Sequence, residues 1–249
     1  MADPLFDAAA REQRRRRALS RTPRPFLAER IVEDWLERLA PVQRRFVQAL
    51  VTGCPPALHA RLSGVAGDVR YADTVDGLAA EEEGSLDLIL VMGELDARDE
   101  LPLLLRIIAS RLAPGGLLAG AIVGGQSLPA LRAAIHAAGE AEGVFAARAH
   151  PMVEPGAFAG LLGAAGLADP VVDIERLRLR YRSFGKLVAD LRDHAGTNML
   201  AARPRAGLKR AQLAAATAAF AALADKGATE ERIELLHYGA WSPVGNNRP

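Results

Sequence analysis

Residues 86–92 read LDLILVM and residues 117–123 read LLAGAIV. Neither run alternates apolar with polar side chains, and both are strand-sized, so each is predicted to be a parallel strand covered on both faces. Gly84-Ser85 leads into the first and Gly93 closes it, while Pro114-Gly115-Gly116 turns the chain into the second. Between them, 101–112 sets Leu104, Ile107, Ile108 and Leu112 along one side of a helix. A strand, a helix and a strand joined by short turns make a right-handed crossover, the unit of an open α/β sheet.

The flanking sequence repeats this alternation. A short buried strand is expected at 46–51 and a weaker one at 69–72, followed by Asp73. Helices are expected at 127–142, 154–165, 184–194 and 209–223, with strands at 171–179 and 232–241. In the last of these, Ile233, Leu235 and His237 alternate with Glu234, Leu236 and Tyr238, which is less clean than a half-exposed strand requires. Ahead of the sheet, Ile31, Trp35 and Leu39, with Val32 and Leu36 beside them, mark an amphipathic helix that Pro41 ends. Residues 1–24, with Arg14, Arg15, Arg16 and Arg17 in a row, read as a mobile, solvated basic arm of helical character. The remainder, 25–249, reads as one α/β domain with a helical insertion at about 173–205, assigned to a lid or partner surface.

Lys and Arg number 31 against 30 Asp and Glu, so bulk charge does not hold this protein on nucleic acid. The excess of Arg, Ala and Gly has the look of a high-GC bacterial genome. Cys54, the single cysteine, excludes an internal disulfide and a Cys-based zinc site and fits a reducing cytoplasm. Histidines 59, 136, 150, 194 and 237 show neither the zinc-helix spacing nor an iron facial triad. No apolar run reaches the roughly 18 to 20 residues of a membrane span. Asp3, Asp7 and Glu12 set the N-terminus apart from acid-poor transit peptides. A cytoplasmic location is expected.

Several segments together resemble one family. GGQSLPALR (124–132), VVDIERLRLRY (171–181), LVADLRDHAGTN (187–198) and IELLHYGAWSP (233–243) are similar to segments of the bacterial relatives of a mitochondrial respiratory complex I assembly factor, as is FLAERIVEDWLERL (26–39). That family is built on the class I S-adenosylmethionine (SAM) methyltransferase fold. The resemblance implies a Rossmann-like, mostly parallel seven-stranded sheet, SAM as cofactor and a protein client such as a respiratory-complex subunit. Its mitochondrial member is thought to hydroxylate an arginine, so the fold leaves the reaction open.

The SAM loop of that fold follows the first strand as D/E-x-G-x-G-x-G, and here it reads Val51-Thr52-Gly53-Cys54-Pro55-Pro56-Ala57. Val51 supplies no carboxylate, and the prolines lack N–H donors and fix φ near −65°. The stretch 63–68 is short for a second strand and helix, so the element that would present a ribose acid is expected to be shortened or missing, leaving Asp68 to serve only by accident. The cofactor candidates are Gly53, Cys54, Asp73 and Glu94. Asp73 reads equally as an acid near the adenine and as a turn or N-cap aspartate, Glu94 reads first as a solvated turn residue, and Leu95-Asp96 replaces the family's aromatic pair. Cys54 is expected to be a buried small side chain, since no general base accompanies it. Candidates for substrate or partner contact are Tyr181, Arg192, Asn198 and Trp241. Arg192 can clamp a carboxylate or pair with Asp190, Asp193 or Glu175; Asn198 can orient an amide or sit in a helix-ending turn; Trp241 and Tyr238 are core or cleft wall. Three functions follow: a client-binding protein with a degenerate SAM loop, a working SAM-dependent methyltransferase or arginine hydroxylase, and a DNA- or membrane-binding module using the arm, disfavoured by the neutral remainder.

Overall fold

The computed structural model describes residues 3–21 and 25–244. In chain order these form α1 (Ala8–Arg21), α2 (Phe26–Leu39), β1 (Gln48–Thr52), α3 (His59–Leu62), β2 (Asp68–Ala72), β3 (Leu86–Met92), α4 (Leu101–Arg111) and β4 (Leu112–Gly124). They continue as α5 (Pro129–Glu140), α6 (Pro155–Ala164), β5 (Ala168–Tyr181), α7 (Phe184–Asp193), α8 (Arg210–Ala222), β6 (Ala224–Asp225) and β7 (Ala228–Trp241). The seven strands join in the order β2-β1-β3-β4-β7-β5, with two-residue β6 paired to β7. β1 pairs in parallel with β2 and β3, and β3 in parallel with β4. This is the expected mostly parallel α/β sheet. Among the described residues no helix is long and apolar enough to cross a membrane.

The chain divides into two compact units. One takes Pro23–Val123, Val153–Glu175 and Leu235–Pro249. Its core holds the inward residues of β1, β3 and β4 together with Leu105 and Ile108 of α4, Phe158 and Leu162 of α6, and Tyr238 of β7. LDLILVM is buried at every position except Asp87, whose carboxylate accepts from the N–H groups of Val47 and Gln48 and pairs with Arg44. The expected turn Pro114-Gly115-Gly116 lies inside β4. Pairing with β3 begins at Leu112 opposite Leu86 and resumes with Leu117 opposite Leu88, so the four residues 113–116 form a bulge, with Gly115 at φ 70°.

The other unit takes Met1–Thr22, Gly124–Met152 and Arg176–Glu234, more than the insertion expected at 173–205. Buried Ala130, Ala134 and Ala138 repeat at i+4 along α5, and this smooth face packs on α8, where Ala216 and Phe220 are buried. The basic segment is not the solvated arm expected from its charge. It is helical, its Ala10 and Ala18 are buried, and α1 packs against α7. Asp7 accepts from Ala10 N at 2.9 Å and pairs with Arg203 at 2.9 Å, which together bring its carboxyl down to about 2. Arg14 donates to Thr197 at 2.8 Å and Arg21 pairs with Asp193 at 2.6 Å. Residues 1–2 and 22–24 of the arm lie outside the described residues.

Candidate functional site

The carboxyl ends of parallel strands are where α/β sheets build sites, because backbone and loops open there. At that edge β1 ends in Thr52-Gly53, β2 in Ala72-Asp73 and β3 in Met92-Gly93-Glu94. Gly53, at φ 72°, donates its N–H to Ala72 O at 3.2 Å, and a Cβ there would stand 2.5 Å from Met92 O, so only glycine fits. Glu94 stands in the left-handed region at φ 64°, an uncommon and costly place for a side-chain-bearing residue. That geometry brings its Oε2 to 2.6 Å from Val75 N, whose N–H it accepts, and to 3.6 Å from the Cβ position of Gly53. Asp73 is exposed, directly after β2. Gly53, Asp73 and Glu94 thus share one edge. Asp68 begins β2 opposite Gln48, at the far end of the strand from that edge.

The loop after β1 is committed to its own structure. Leu58 N donates to Pro55 O at 2.9 Å, His59 Nε2 to Cys54 O at 3.1 Å and Tyr71 Oη to His59 O at 2.8 Å. The His59 and Tyr71 rings stack 3.6 Å apart, nearly parallel at 10°. Cys54 is buried, and burial pushes its thiol up to about 12, so it is no nucleophile at neutral pH. Within a single strand–strand connection, α3 and a 3-10 turn (Pro56–Leu58) replace a longer helix, and β2 pairs directly with β1.

Trp241, expected in the cleft or core, ends β7 beside Ser242, which exchanges hydrogen bonds with Gly115 and Gly116 near the start of β4. It is half-buried and at the opposite end of the strands from Gly53. His237 is a core residue: 2% exposed, it places Nδ1 2.9 Å from Asp34 and Nε2 3.0 Å from Glu175. Arg38 pairs with Asp34 at 2.8 Å and Arg30 with Glu175 at 2.7 Å, completing a network the sequence did not disclose. Burial raises the Asp34 carboxyl, but His237 and Arg38 outweigh it and hold the group below its ordinary 3.8. A lowered folded-state value means stability that is present above pH 3.8 and lost as pH falls through the folded value. Asp34→Asn is therefore expected to cost on the order of 1 kcal/mol at neutral pH, after allowance for solvent screening, with the gap to the parent closing in acid. Urea unfolding across pH checks this, and a gap that ignores pH contradicts it.

In the other unit, Tyr181 donates to Asp190, tying β5 to α7. Burial and then the Asp190 carboxylate push the Tyr181 phenol far up, so it stays protonated. Asn198 donates to Ala147 O at 2.7 Å and accepts from Leu200 N at 3.0 Å. The turn before it ends α7: Ala195 is at φ 56° and Gly196 N donates to Leu191 O at 2.7 Å. Arg192 and Asn198 line one cavity of about 390 Å³, and Tyr181 does not. Two further buried acids, neither of them a site candidate from the sequence, organise the GGQSLPALR segment. Glu231 accepts from Ala130 N and Leu131 N at the start of α5, and Glu234 accepts from Gln126 N at 2.9 Å. Glu231 satisfies N–H groups at the start of α5 and Glu234 one in the turn before it, and burial of Glu234 is why the alternation of 232–241 is imperfect. Among the described residues, no cluster of three or more His, Cys, Asp or Glu has a metal-holding arrangement.

No family model matches the chain. It is 30% identical over 165 residues to the mitochondrial arginine-hydroxylase NDUFAF5 of Danio rerio, covering 65% of the chain and 51% of that protein. The chain therefore spans about half the length of that relative. The Rattus norvegicus protein of the same name is 27% identical over 269 residues, covering 95% of the chain and 77% of the relative, and the human one 28% over 243 residues, covering 87% and 70%. Among solved structures, the YcgJ protein of Bacillus subtilis aligns with TM-score 0.53 at 11% identity, covering 86% of the chain and 99% of its own. A proposed methyltransferase of Bacillus halodurans aligns with TM-score 0.52 at 11% identity, covering 84% and 98%. At those identities the structural likeness concerns the fold alone. The chain is similar to the NDUFAF5 arginine-hydroxylases and has the Rossmann-like fold of the class I methyltransferases.

Proposed function

We propose that this protein binds a protein client on a methyltransferase scaffold whose SAM loop is degenerate. The observation that carries the reading is the engagement of Glu94: the acid nearest Gly53 spends Oε2 on the Val75 N–H at 2.6 Å. SAM needs an acid for its ammonium, N–H donors for its carboxylate and an acid for its ribose. Val51 provides no carboxylate, and Pro55 and Pro56 provide no N–H. Cys54 is turned into the interior. The residues present do not fit the cofactor, and the client, by resemblance a respiratory-complex subunit, would meet the surface around Arg192 and Asn198, with Tyr181 supporting α7. Trp241 serves packing in this reading.

A second reading, in which the chain modifies its client as the name of its relatives says of them, is favoured by one observation. Asp73 is exposed at the carboxyl end of the strand next to β1, where an acid can take ribose hydroxyls. Isothermal titration with SAM and S-adenosylhomocysteine separates the two. No saturable heat is expected up to about 1 mM ligand, and micromolar binding overturns the degenerate reading. Val51→Asp combined with Pro55→Gly restores one charge-assisted contact and one donor, and is expected to tighten SAM binding by roughly tenfold or more.

A further inference from the structure

The cavity lined by Arg192 and Asn198 has an unusual charge balance. Its floor is apolar, formed by Leu131, Ile135, Val188 and Leu191. Arg132, Arg148 and Arg192 line it as well, and neither an Asp nor a Glu does. The acids near these elements are occupied: Asp190 by Tyr181, Asp193 by Arg21 at 2.6 Å and Glu142 by Lys209 at 2.6 Å. Glu175, the third partner considered for Arg192, is held by Arg30 and His237. Arg132 donates only to the carbonyls of Ser127 and His150. Among the described residues, Arg148 and Arg192 engage no carboxylate.

His150, in the same wall, adds no positive charge. Its Nε2 accepts the Met199 N–H at 2.5 Å, which requires a neutral ring, and burial followed by Arg14 and Arg132 brings its pKa down to about 4. The wall is therefore cationic through its arginines alone. A second cavity of about 280 Å³ shares Arg132, Ile135, Arg148 and Ala149 with the first, so the two make one elongated trough. Phe145, in the second cavity, is 66% exposed, and Leu213, in the first, is 48% exposed. Large apolar side chains beside unpaired guanidinium groups are the signature of a binding surface.

We propose that this trough, formed by α5, α7 and the 145–150 and 195–198 segments, binds a client segment that alternates carboxylate and apolar side chains. Arg148 and Arg192 take the carboxylates by paired N–H···O bonds, while the Leu131, Ile135 and Phe145 surface takes the apolar neighbours. A free small anion would leave the second cavity and the exposed Phe145 ring uncovered; an extended peptide covers both. This assignment rests on the client-binding reading and adds the client's chemistry to it.

The test is fluorescence anisotropy on the full chain, with a short fluorescein-labelled peptide alternating Glu and Leu and a matched peptide with Gln for Glu. Saturable binding of the Glu peptide is expected, weakened about tenfold or more by the Gln replacement, by Arg148→Glu with Arg192→Glu, and by raising salt. Arg45→Glu with Arg106→Glu, both exposed and outside the cavities, changes net charge equally and is expected to leave binding intact. Arg148 and Arg192 hold no other group, so the double variant should fold, and its melting curve checks this. If it melts early, the Glu-against-Gln comparison and the salt series on the parent still decide. Equal affinity for the two peptides, undiminished binding by a folded double variant, or preference for phosphatidylglycerol vesicles that the Glu peptide fails to displace each overturns the proposal. Failure of the degenerate-loop reading looks different: micromolar SAM binding sinks that reading while leaving peptide affinity where it was.

Discussion

Gly120→Ala is expected to lose about 3 kcal/mol of stability, the upper part of the range for forcing a methyl group into a filled core. Gly120 lies on β4 opposite Val91 of β3, and the Tyr238 phenol from β7 occupies the space where a side chain would go. A Cβ there would overlap Tyr238 Oη and Cζ and stand 2.5 Å from Val91 O. The ring has nowhere to retreat, since Tyr238 is buried and packs edge-on to Phe158 at a centroid distance of 4.9 Å. Val91 O belongs to the sheet ladder and is no freer. At about 2–4 °C per kcal/mol for a chain of this size, the melting temperature should fall by roughly 6–12 °C. Adding Tyr238→Leu is expected to recover only part of the loss, because the carbonyl clash remains. A loss below about 1 kcal/mol in urea unfolding would mean that the phenol moves aside.

Glu231→Ala is expected to cost a similar amount, about 3 kcal/mol, by a different mechanism. Glu231 is fully buried and accepts from Ala130 N at 3.2 Å, Leu131 N at 2.8 Å and Arg232 N at 3.0 Å. Alanine orphans donors at the start of α5, each costing about 1–3 kcal/mol where water does not reach. Glu231→Gln keeps an acceptor oxygen and should cost less than half as much. Burial, only partly offset by the three N–H groups, raises the Glu231 carboxyl above its ordinary 4.5. A raised folded-state value means stability fully present below pH 4.5 and lost as pH rises through the folded value, so the gap between parent and Glu231→Gln should widen as pH drops toward 4.5. Urea unfolding of the three proteins at two pH values measures both effects. An alanine variant as stable as the glutamine one would show that water replaces the carboxylate.

The strands at 86–92 and 117–123 were legible because burial on both faces excludes polar residues from the whole run, a signal carried by neighbouring positions. The helices at 184–194 and 209–223 matched α7 and α8 within a residue at each end for the same local reason. The last strand was legible but blurred. Its Glu231 and Glu234 are polar and buried, and nothing nearby in the chain announces the N–H groups of Ala130, Leu131 and Gln126 that they satisfy, which lie 101, 100 and 108 residues earlier. The basic arm was misjudged for a related reason. Arg14 and Arg21 find Thr197 and Asp193 at separations of 183 and 172 residues, so their charges read as solvated until the partners are known.

Among the candidate site residues, Gly53, Asp73 and Glu94 follow three strands whose parallel order could be foreseen, and they do share an edge. The role of Glu94 could not be foreseen, because it depends on a left-handed backbone at that residue and on the position of Val75 N. Arg132 and Arg148 were passed over as compositional arginines. What distinguishes them is the absence of acids around a shared cavity, a property of space rather than of order along the chain.

By itself the amino-acid order determined the α/β class, the positions of the main strands and helices and the loss of N–H donors at Pro55 and Pro56, since each depends on hydrophobic periodicity or covalent structure within a few residues. Tertiary structure alone decided that α1 docks, that His237 lies between Asp34 and Glu175, and that Arg132, Arg148 and Arg192 face one trough without a carboxylate. Charge and burial depend on every neighbour in three dimensions, and those neighbours come from distant parts of the chain.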